Sequence, residues 1–135
     1  PEILLESDVL KALFGDNRKA AIGYTGICWF LSDEQIQHSM KVLYDWADKG
    51  SMVYISYIDN SKPTGNMQDV TKIYENMKSP IYYRNTKQFL ELIKPWKIKD
   101  PGFLLLEDWY DMSPYVTKDM KQYGGEGVLS GFLEK

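Results

Sequence analysis

The chain has 135 residues, and 16 basic against 19 acidic side chains give it a net charge of −3. This length predicts a single domain over residues 1–135, and an apolar content of 44% excludes a disordered or fibrous protein. No apolar run approaches the roughly 20 residues that cross a bilayer, and the amino end lacks a signal-peptide pattern. We therefore predict a cytoplasmic protein with no membrane partner. The acidic balance also argues against nucleic acid as a partner, because clustered basic residues supply that affinity.

The residue content limits the metal and thiol chemistry that this chain can perform. Its one cysteine, Cys28, and its one histidine, His38, exclude an internal disulfide and a histidine- or thiolate-rich metal site. Because no base lies next to Cys28 in the sequence, we interpret it as a small buried apolar side chain. His38 falls on the polar side of a predicted helix, which indicates a surface position. We predict no metal.

The first half of the chain has the pattern of a parallel β-α-β unit. Apolar spacing predicts a helix over residues 1–14, and the largely uncharged run 19–31 predicts a strand covered on both faces. Ser32-Asp-Glu-Gln35 matches a capping box, so a helix is expected to begin there. The run 51–59 is rich in β-branched and aromatic residues and predicts a second strand. The order of these elements implies a right-handed parallel crossover.

The second half alternates loops, short helices and short strands. We predict a loop at 60–66, a helix at 69–78, an aromatic connector at 81–84, a helix that Asn85 caps, a third strand within 96–106, a loop over most of 107–122 and a last strand at 126–133. The uncharged first strand, with Gly23 and Gly26, indicates close approach by other backbone.

Five short motifs occur in an order and spacing that resemble the S-adenosyl methyltransferase family. They are Pro1-Glu-Ile-Leu-Leu5, Cys28-Trp-Phe-Leu-Ser-Asp33, Arg84 with Phe89, Pro101-Gly102 and Tyr123-Gly-Gly125. The chain departs from the family at Trp29, where histidine is usual, so no proton-transfer role can be assigned there. It also lacks the Gly-rich turn and the acidic residue that form the amino-terminal, cofactor-binding half of such folds.

The resemblance implies an α/β fold, namely the C-terminal half of a Rossmann-like methyltransferase with flanking helices. The expected mixed sheet has about four strands in the order 4-5-7-6, with strand 7 antiparallel. The edge next to strand 4 would be bare, and we expect the N-terminal half of the same fold or a second copy to occupy it. A start at Pro1 without methionine favours a fragment.

The implied function is the C-terminal part of an S-adenosylmethionine-dependent methyltransferase with a small-molecule acceptor, inactive when isolated. An alternative is a non-catalytic half-domain that acts as a protein-interaction module through its open edge strand. A third interpretation is an unrelated nucleotide-binding α/β protein, which would hold phosphate at a helix amino end.

No catalytic residue is assigned; the resemblance implies the cofactor residues, and the aromatic and arginine side chains themselves indicate the substrate residues. Thr25, Gly26 and Ile27 would contact S-adenosylmethionine once the missing half is present, the alternative being packing at a strand end. Trp29 and Phe30 would wall an aromatic substrate pocket or else pack in the core. Tyr82, Tyr83 and Arg84 are interpreted as an exposed cluster in which Tyr82 and Arg84 bind substrate. A structural salt bridge is the alternative for Arg84, and helix capping is the role expected of Asp33 and Glu34.

Overall fold

The computed structural model describes residues 1–59, 67–111, 115 and 128–135. Within these residues the helices and strands follow one another as α1 (Glu2–Leu5), α2 (Asp8–Phe14), β1 (Ala21–Tyr24), α3 (Asp33–Trp46), β2 (Met52–Ile58), α4 (Met67–Asn76), α5 (Thr86–Leu92), β3 (Lys97–Ile98), β4 (Leu104–Leu105), α6 (Leu106–Trp109) and β5 (Val128–Glu134). A short 3₁₀ helix occupies Cys28–Phe30. None of the helices in the described ranges is both long and apolar enough to traverse a bilayer.

The strands form one mixed sheet in the order β1-β2-β5-β3, with β4 also paired to β5. β1 and β2 are parallel, whereas β5 runs antiparallel to β2 from the pair Met52↔Glu134 to the pair Ile58↔Val128. Both β3 and β4 are antiparallel to β5. This confirms the predicted order 4-5-7-6, with the sixth strand of the methyltransferase numbering divided into two short pieces.

Local signals at the starts of two helices are confirmed. The Ser32 hydroxyl accepts from the Gln35 amide at 3.3 Å, and the Gln35 side chain accepts from the Ser32 amide at 2.8 Å. Asn85 and Gln88 form the same reciprocal pair at the start of α5. Each box satisfies two amides that a helix start leaves unpaired, so both helices begin at residues fixed by the sequence.

One face of the sheet carries the core, and α3 and α5 cover it. The buried apolar side chains of β2 alternate along the strand and so share this face. The core includes Ile36, Met40 and Leu43 of α3, Val53, Ile55 and Tyr57 of β2, Phe89 and Leu92 of α5, and Leu133 of β5. The Tyr57 and Phe89 rings stack with centroids 4.0 Å apart, which joins the sheet to α5.

The predicted helix over residues 1–14 is wrong as a single element. The structure breaks it after Leu5, and Ser7 starts α2 by accepting from the Leu10 amide at 3.3 Å. The predicted first strand is also too long, because β1 ends at Tyr24 and Gly26 adopts φ +73. An extended strand cannot continue through a residue with that backbone angle, so Cys28 lies in the 3₁₀ helix instead.

The carboxyl-terminal elements are shorter than their apolar runs predicted. The run 96–106 gives two strands of two residues each, with Gly102 at φ +96 between them. Residues Leu106–Trp109 are helical, where Leu106 was predicted to end the third strand and the following residues to form a loop. The helix predicted at 69–78 is confirmed as α4 and begins at Met67. The predicted loop at 60–66 and the Tyr123-Gly-Gly125 motif lie outside the described residues.

Gly131 allows β5 to pack closely against the segment before β4. A Cβ atom added there would lie 2.8 Å from Phe103 Cδ1 and 3.0 Å from the Gly102 carbonyl oxygen. We expect Gly131→Ala to lower the free energy of unfolding by about 1–3 kcal/mol, since a backbone oxygen cannot move aside cheaply. Urea denaturation measures this. Gly23→Ala is the matched control, because nothing lies within 4 Å of a Cβ there; equal losses for the two variants would contradict the packing argument.

Candidate functional site

The carboxyl ends of the two parallel strands meet at one edge of the sheet. Thr25, Gly26 and Ile27 directly follow β1, and all three are exposed, with Ile27 at 41%. Asp59 directly follows β2 and forms a parallel bridge with Arg84. Ligands of open α/β sheets bind in the crevice outside these strand ends. The structure therefore brings the three predicted cofactor residues to the position where the fold accepts a ligand.

Gly26 is the residue at this edge whose backbone conformation requires glycine. Its φ is +73, and its amide donates to the Ser56 hydroxyl of β2 at 3.4 Å. A Cβ atom at Gly26 would meet no atom within 4 Å. The turn after β1 is thus held to β2 by the Gly26 amide, while the side of Gly26 where a Cβ would point is open. This leaves the backbone of the turn accessible to a ligand.

These residues fit one end of S-adenosylmethionine, the cofactor that the resemblance implies. The turn at 24–27 offers an open, uncharged backbone surface suited to the methionine end. Rossmann-type sites hold the ribose hydroxyls through a carboxylate that follows another strand, and the carboxylate that follows β2, Asp59, already accepts from the Thr86 hydroxyl. The donor set present would therefore hold only part of the cofactor.

After the turn comes an aromatic cluster made of Trp29, Phe30 and Tyr74, to which Tyr82 is joined through its main chain. The Trp29 and Phe30 rings are 6.0 Å apart, and Phe30 and Tyr74 are 5.5 Å apart. The Tyr82 amide donates to the Trp29 carbonyl at 2.7 Å, which ties the 81–84 connector to the 3₁₀ helix. Trp29 and Phe30 are half-buried and Tyr82 is exposed, so part of the cluster faces outward.

Arg84 is buried, with 4% exposure, so the prediction that it lies in an exposed cluster is wrong. Its Nε atom donates to Asp33 Oδ1 at 2.7 Å, and its two Nη atoms donate to the carbonyls of Cys28 at 2.9 Å and Leu31 at 2.6 Å. The alternative of a structural salt bridge is confirmed. Its guanidinium group satisfies carbonyls of the 3₁₀ segment and holds that segment to the start of α3.

A polar network that the sequence did not indicate lies at the end of β2. The Thr86 hydroxyl donates to Asp59 Oδ2 at 2.9 Å and lies 2.7 Å from the Tyr57 hydroxyl. Since Thr86 has a single proton to give, the Tyr57 hydroxyl is the donor in the second bond. Burial raises the pKa of Tyr57 to about 12, so it remains a neutral donor at physiological pH. The sequence features that could have indicated this network are the position of Asp59 at a strand end and of Thr86 beside a helix cap.

Cys28 and His38 occupy the environments predicted for them. Cys28 is fully buried, and burial raises the pKa of its thiol to about 12, which leaves it protonated and unreactive. His38 is exposed and contacts the Glu2 carboxylate. In the ranges that the structure describes, no three histidine, cysteine or acidic side chains converge closely enough to hold a metal ion.

A parallel strand pair with an exposed glycine turn at its carboxyl edge, continued by an antiparallel last strand, defines a Rossmann-like α/β protein of the methyltransferase type. The chain belongs to the S-adenosyl methyltransferase family, whose model matches residues 1–130. No curated protein matches the chain. The family and fold together establish a domain like those of S-adenosylmethionine-dependent methyltransferases.

Two solved structures share this fold. The chain aligns over its whole length with a putative methyltransferase from Thermobifida fusca, with a TM-score of 0.77 and 18% identity. It aligns over 85% of its length with a duf574 family protein from Streptomyces avermitilis, with a TM-score of 0.70 and 16% identity. The chain spans 50% of the first protein and 44% of the second.

Proposed function

We propose that this chain supplies the C-terminal part of an S-adenosylmethionine-dependent methyltransferase that acts on a small molecule. In this proposal Thr25, Gly26 and Ile27 face the methionine end of the cofactor. The observation that carries it is the exposed Gly26 turn at the shared carboxyl edge of β1 and β2, in a chain that belongs to this family. That edge is where α/β sheets bind ligands.

The aromatic cluster supplies the acceptor side of the proposed site. Trp29 and Phe30 follow the Gly26 turn closely in the chain, and the Tyr82 amide donates to the Trp29 carbonyl. The three rings offer flat apolar surfaces. Arg84, the fourth predicted substrate residue, acts through these residues, because it is buried and each of its three guanidinium nitrogens already donates to the protein. S-adenosylmethionine, when bound, provides an electrophilic methyl group. Orienting the acceptor is the main contribution that the protein makes to such a transfer.

A complementary half is part of this proposal. The sequence has no Gly-rich turn between a strand and a helix, and residues 24–27 have no carboxylate for the ribose. Both features belong to the strands that would lie beyond β1. The two structural neighbours are about twice as long as this chain, which supports a site shared with a further segment.

The first test is calorimetric titration with S-adenosylhomocysteine. It compares the chain with a fused protein in which the unmatched half of the Thermobifida fusca protein precedes Pro1. We expect no measurable binding by the chain alone and binding by the fused protein. Gly26→Ala in the fused protein is expected to weaken binding at least tenfold, because the side chain strains the φ +73 turn and fills the open approach.

Gly15→Ala is the matched control for this titration. Gly15 also has a positive φ, +54, and open space around a Cβ, but it lies between α2 and β1, away from the strand ends. It should cost similar stability and leave the affinity unchanged. Tight binding by the chain alone, or equal loss in the two variants, would contradict the proposed location of the site.

A second candidate function is a protein-interaction module that uses β1 as an open edge. The observation that favours it is that β1 pairs with β2 alone among the strands of the described residues. The same titration separates the two functions. A fused protein that folds but does not bind S-adenosylhomocysteine would favour the module over the enzyme.

A further inference from the structure

A small cleft lies between α2 and the carboxyl end of α3. Leu10 and Phe14 are four residues apart in α2, so they share the side of that helix that lines the cleft. The Phe14 ring packs edge-on against Trp46, the last residue of α3, with ring centroids 5.1 Å apart. These three half-buried side chains form an apolar lining. The cleft has a volume of about 280 Å³, its open mouth included.

Three charged side chains, Glu6, Lys11 and Arg18, also line the cleft. Lys11 is paired with Glu6 at 3.3 Å, so the charges of these two groups offset each other. The Arg18 guanidinium stands over the Trp46 ring, with Cζ 6.0 Å from the ring centroid. It forms no ion pair or hydrogen bond with any residue that the structure describes. The cleft therefore holds one positive charge without a partner, next to an aromatic surface.

The main chain of Arg18 is fixed to the loop that follows α3. Its amide donates to Asp48 Oδ2 at 2.7 Å, and its carbonyl accepts from the Asp48 amide at 3.1 Å and from the Ser51 hydroxyl at 3.2 Å. The Asp48 carboxylate is thus bonded to the Arg18 amide rather than to the guanidinium. An anchored main chain lowers the entropy that the side chain loses when it binds a ligand.

We infer that this cleft binds a small aromatic carboxylate, with its carboxylate on Arg18 and its ring against Phe14 and Trp46. A guanidinium group matches a carboxylate through two parallel hydrogen bonds, and ring pairs attract beyond the area that they bury. The single unpaired charge of Arg18 complements a monoanion. A cavity of about 150 Å³ accommodates benzene, so the cleft has room for one substituted ring.

The cleft is separate from the proposed cofactor site. Arg18 precedes β1 and the Gly26 turn follows it, so the two sites lie at opposite edges of the sheet. The inference therefore does not depend on S-adenosylmethionine. It assigns to the chain alone a second small-molecule site, built by α2, α3 and the segment before β1.

The test is titration of the nitrogen-labelled chain with sodium benzoate, followed by NMR. We expect saturable shifts of the Gly15 amide and Trp46 indole signals, since both residues line the cleft, and no shift of the Gly26 amide. Arg18→Gln is expected to weaken benzoate binding about tenfold, as the loss of a hydrogen bond to a charged group does. Arg18 is exposed and its main-chain bonds remain in the variant, so an unchanged melting temperature is expected.

Lys19→Gln is the matched control for this titration. It removes the same charge from the neighbouring residue, but Lys19 is not among the residues that line the cleft. Its side chain lies beside Gly50, where an added Cβ would be 3.1 Å from Lys19 Cε. The control should leave the affinity for benzoate unchanged. Benzyl alcohol, a ring without the charge, and acetate, the charge without a ring, should both bind more weakly than benzoate.

Four results would overturn the inference. The first is the absence of saturable shifts in the folded chain. The second is equal weakening by Arg18→Gln and Lys19→Gln, which would reduce the effect to net charge. Tighter binding of inorganic phosphate than of benzoate would make the cleft a site for simple anions. Shifts at Gly26 instead of Gly15 and Trp46 would place the ligand at the cofactor edge.

Discussion

Replacing Arg84 by methionine is expected to lower the free energy of unfolding by about 3–5 kcal/mol, because two main-chain carbonyls lose a charged donor. The guanidinium makes three bonds at 2.6–2.9 Å, two of them to main-chain carbonyls. Bonds to charged groups are worth about 1.5–3 kcal/mol each. Asp33 is 60% exposed, so its ion pair contributes little and the carbonyls of Cys28 and Leu31 dominate the loss.

Guanidinium denaturation measures this loss, and two variants separate its parts. Asp33→Ala removes the exposed partner and should cost no more than about 1 kcal/mol. Arg84→Lys keeps the positive charge, but its ammonium group donates from one nitrogen where the guanidinium donates from three. This variant should therefore recover only part of the stability. A loss below about 1 kcal/mol for Arg84→Met would show that water replaces the hydrogen bonds that the guanidinium makes to the two carbonyls.

A local readout distinguishes positioning of the aromatic cluster from a general loss of stability. The Tyr82 amide donates to the Trp29 carbonyl, and Tyr82 also lies over the Arg84 guanidinium, with Cζ 5.4 Å from the ring centroid. If Arg84 holds the 3₁₀ helix against the connector, the Tyr82 amide exchanges faster in Arg84→Met than global unfolding allows. Exchange that tracks global unfolding would assign Arg84 a purely structural role.

Sequence reasoning succeeded where the determining contacts are local. The boxes Ser32 to Gln35 and Asn85 to Gln88 each involve side chains three residues apart, and both helices begin as predicted. The β2 strand likewise follows from its own β-branched and aromatic residues. The strand order came from the family resemblance, because no local pattern specifies which strands are neighbours.

Arg84 shows why the candidate site was predicted less well. Its flanking tyrosines indicated an exposed cluster, but its bonding partners Asp33, Cys28 and Leu31 are 51 to 56 residues away. Nothing in the sequence around Arg84 reports those contacts. The network of Tyr57, Asp59 and Thr86 spans 27 to 29 residues and escaped notice for the same reason.

The uncharged residues 20–28 do contain a strand, as predicted, but the strand is shorter and more exposed than the prediction. This run predicted a strand covered on both faces, yet β1 has four residues, and Ala21 and Gly23 are exposed. The low charge of this run exceeds what a short edge strand requires.

The stability of the protein is expected to fall at alkaline pH because the Cys28 thiol is buried. Burial raises its pKa from the ordinary 9.0 to about 12, so the unfolded chain loses this proton first. The contribution is fully present below pH 9 and is lost as pH rises from 9 to 12. The loss totals about 4 kcal/mol, at about 1.4 kcal/mol for each pH unit.

Urea unfolding at intervals between pH 7 and 10 isolates the cysteine from the buried tyrosines. The pKa values of Tyr24 and Tyr57 are also raised by burial, but these groups contribute only above their ordinary value of 10.0. Cys28→Ala should therefore flatten the stability curve between pH 9 and 10, while lowering it at pH 7 because a buried sulfur is removed. Equal slopes for the two proteins in that interval would show that water reaches the thiol in the folded state. The main-chain bond from Arg84 to the Cys28 carbonyl remains in the variant, so the comparison concerns the side chain alone.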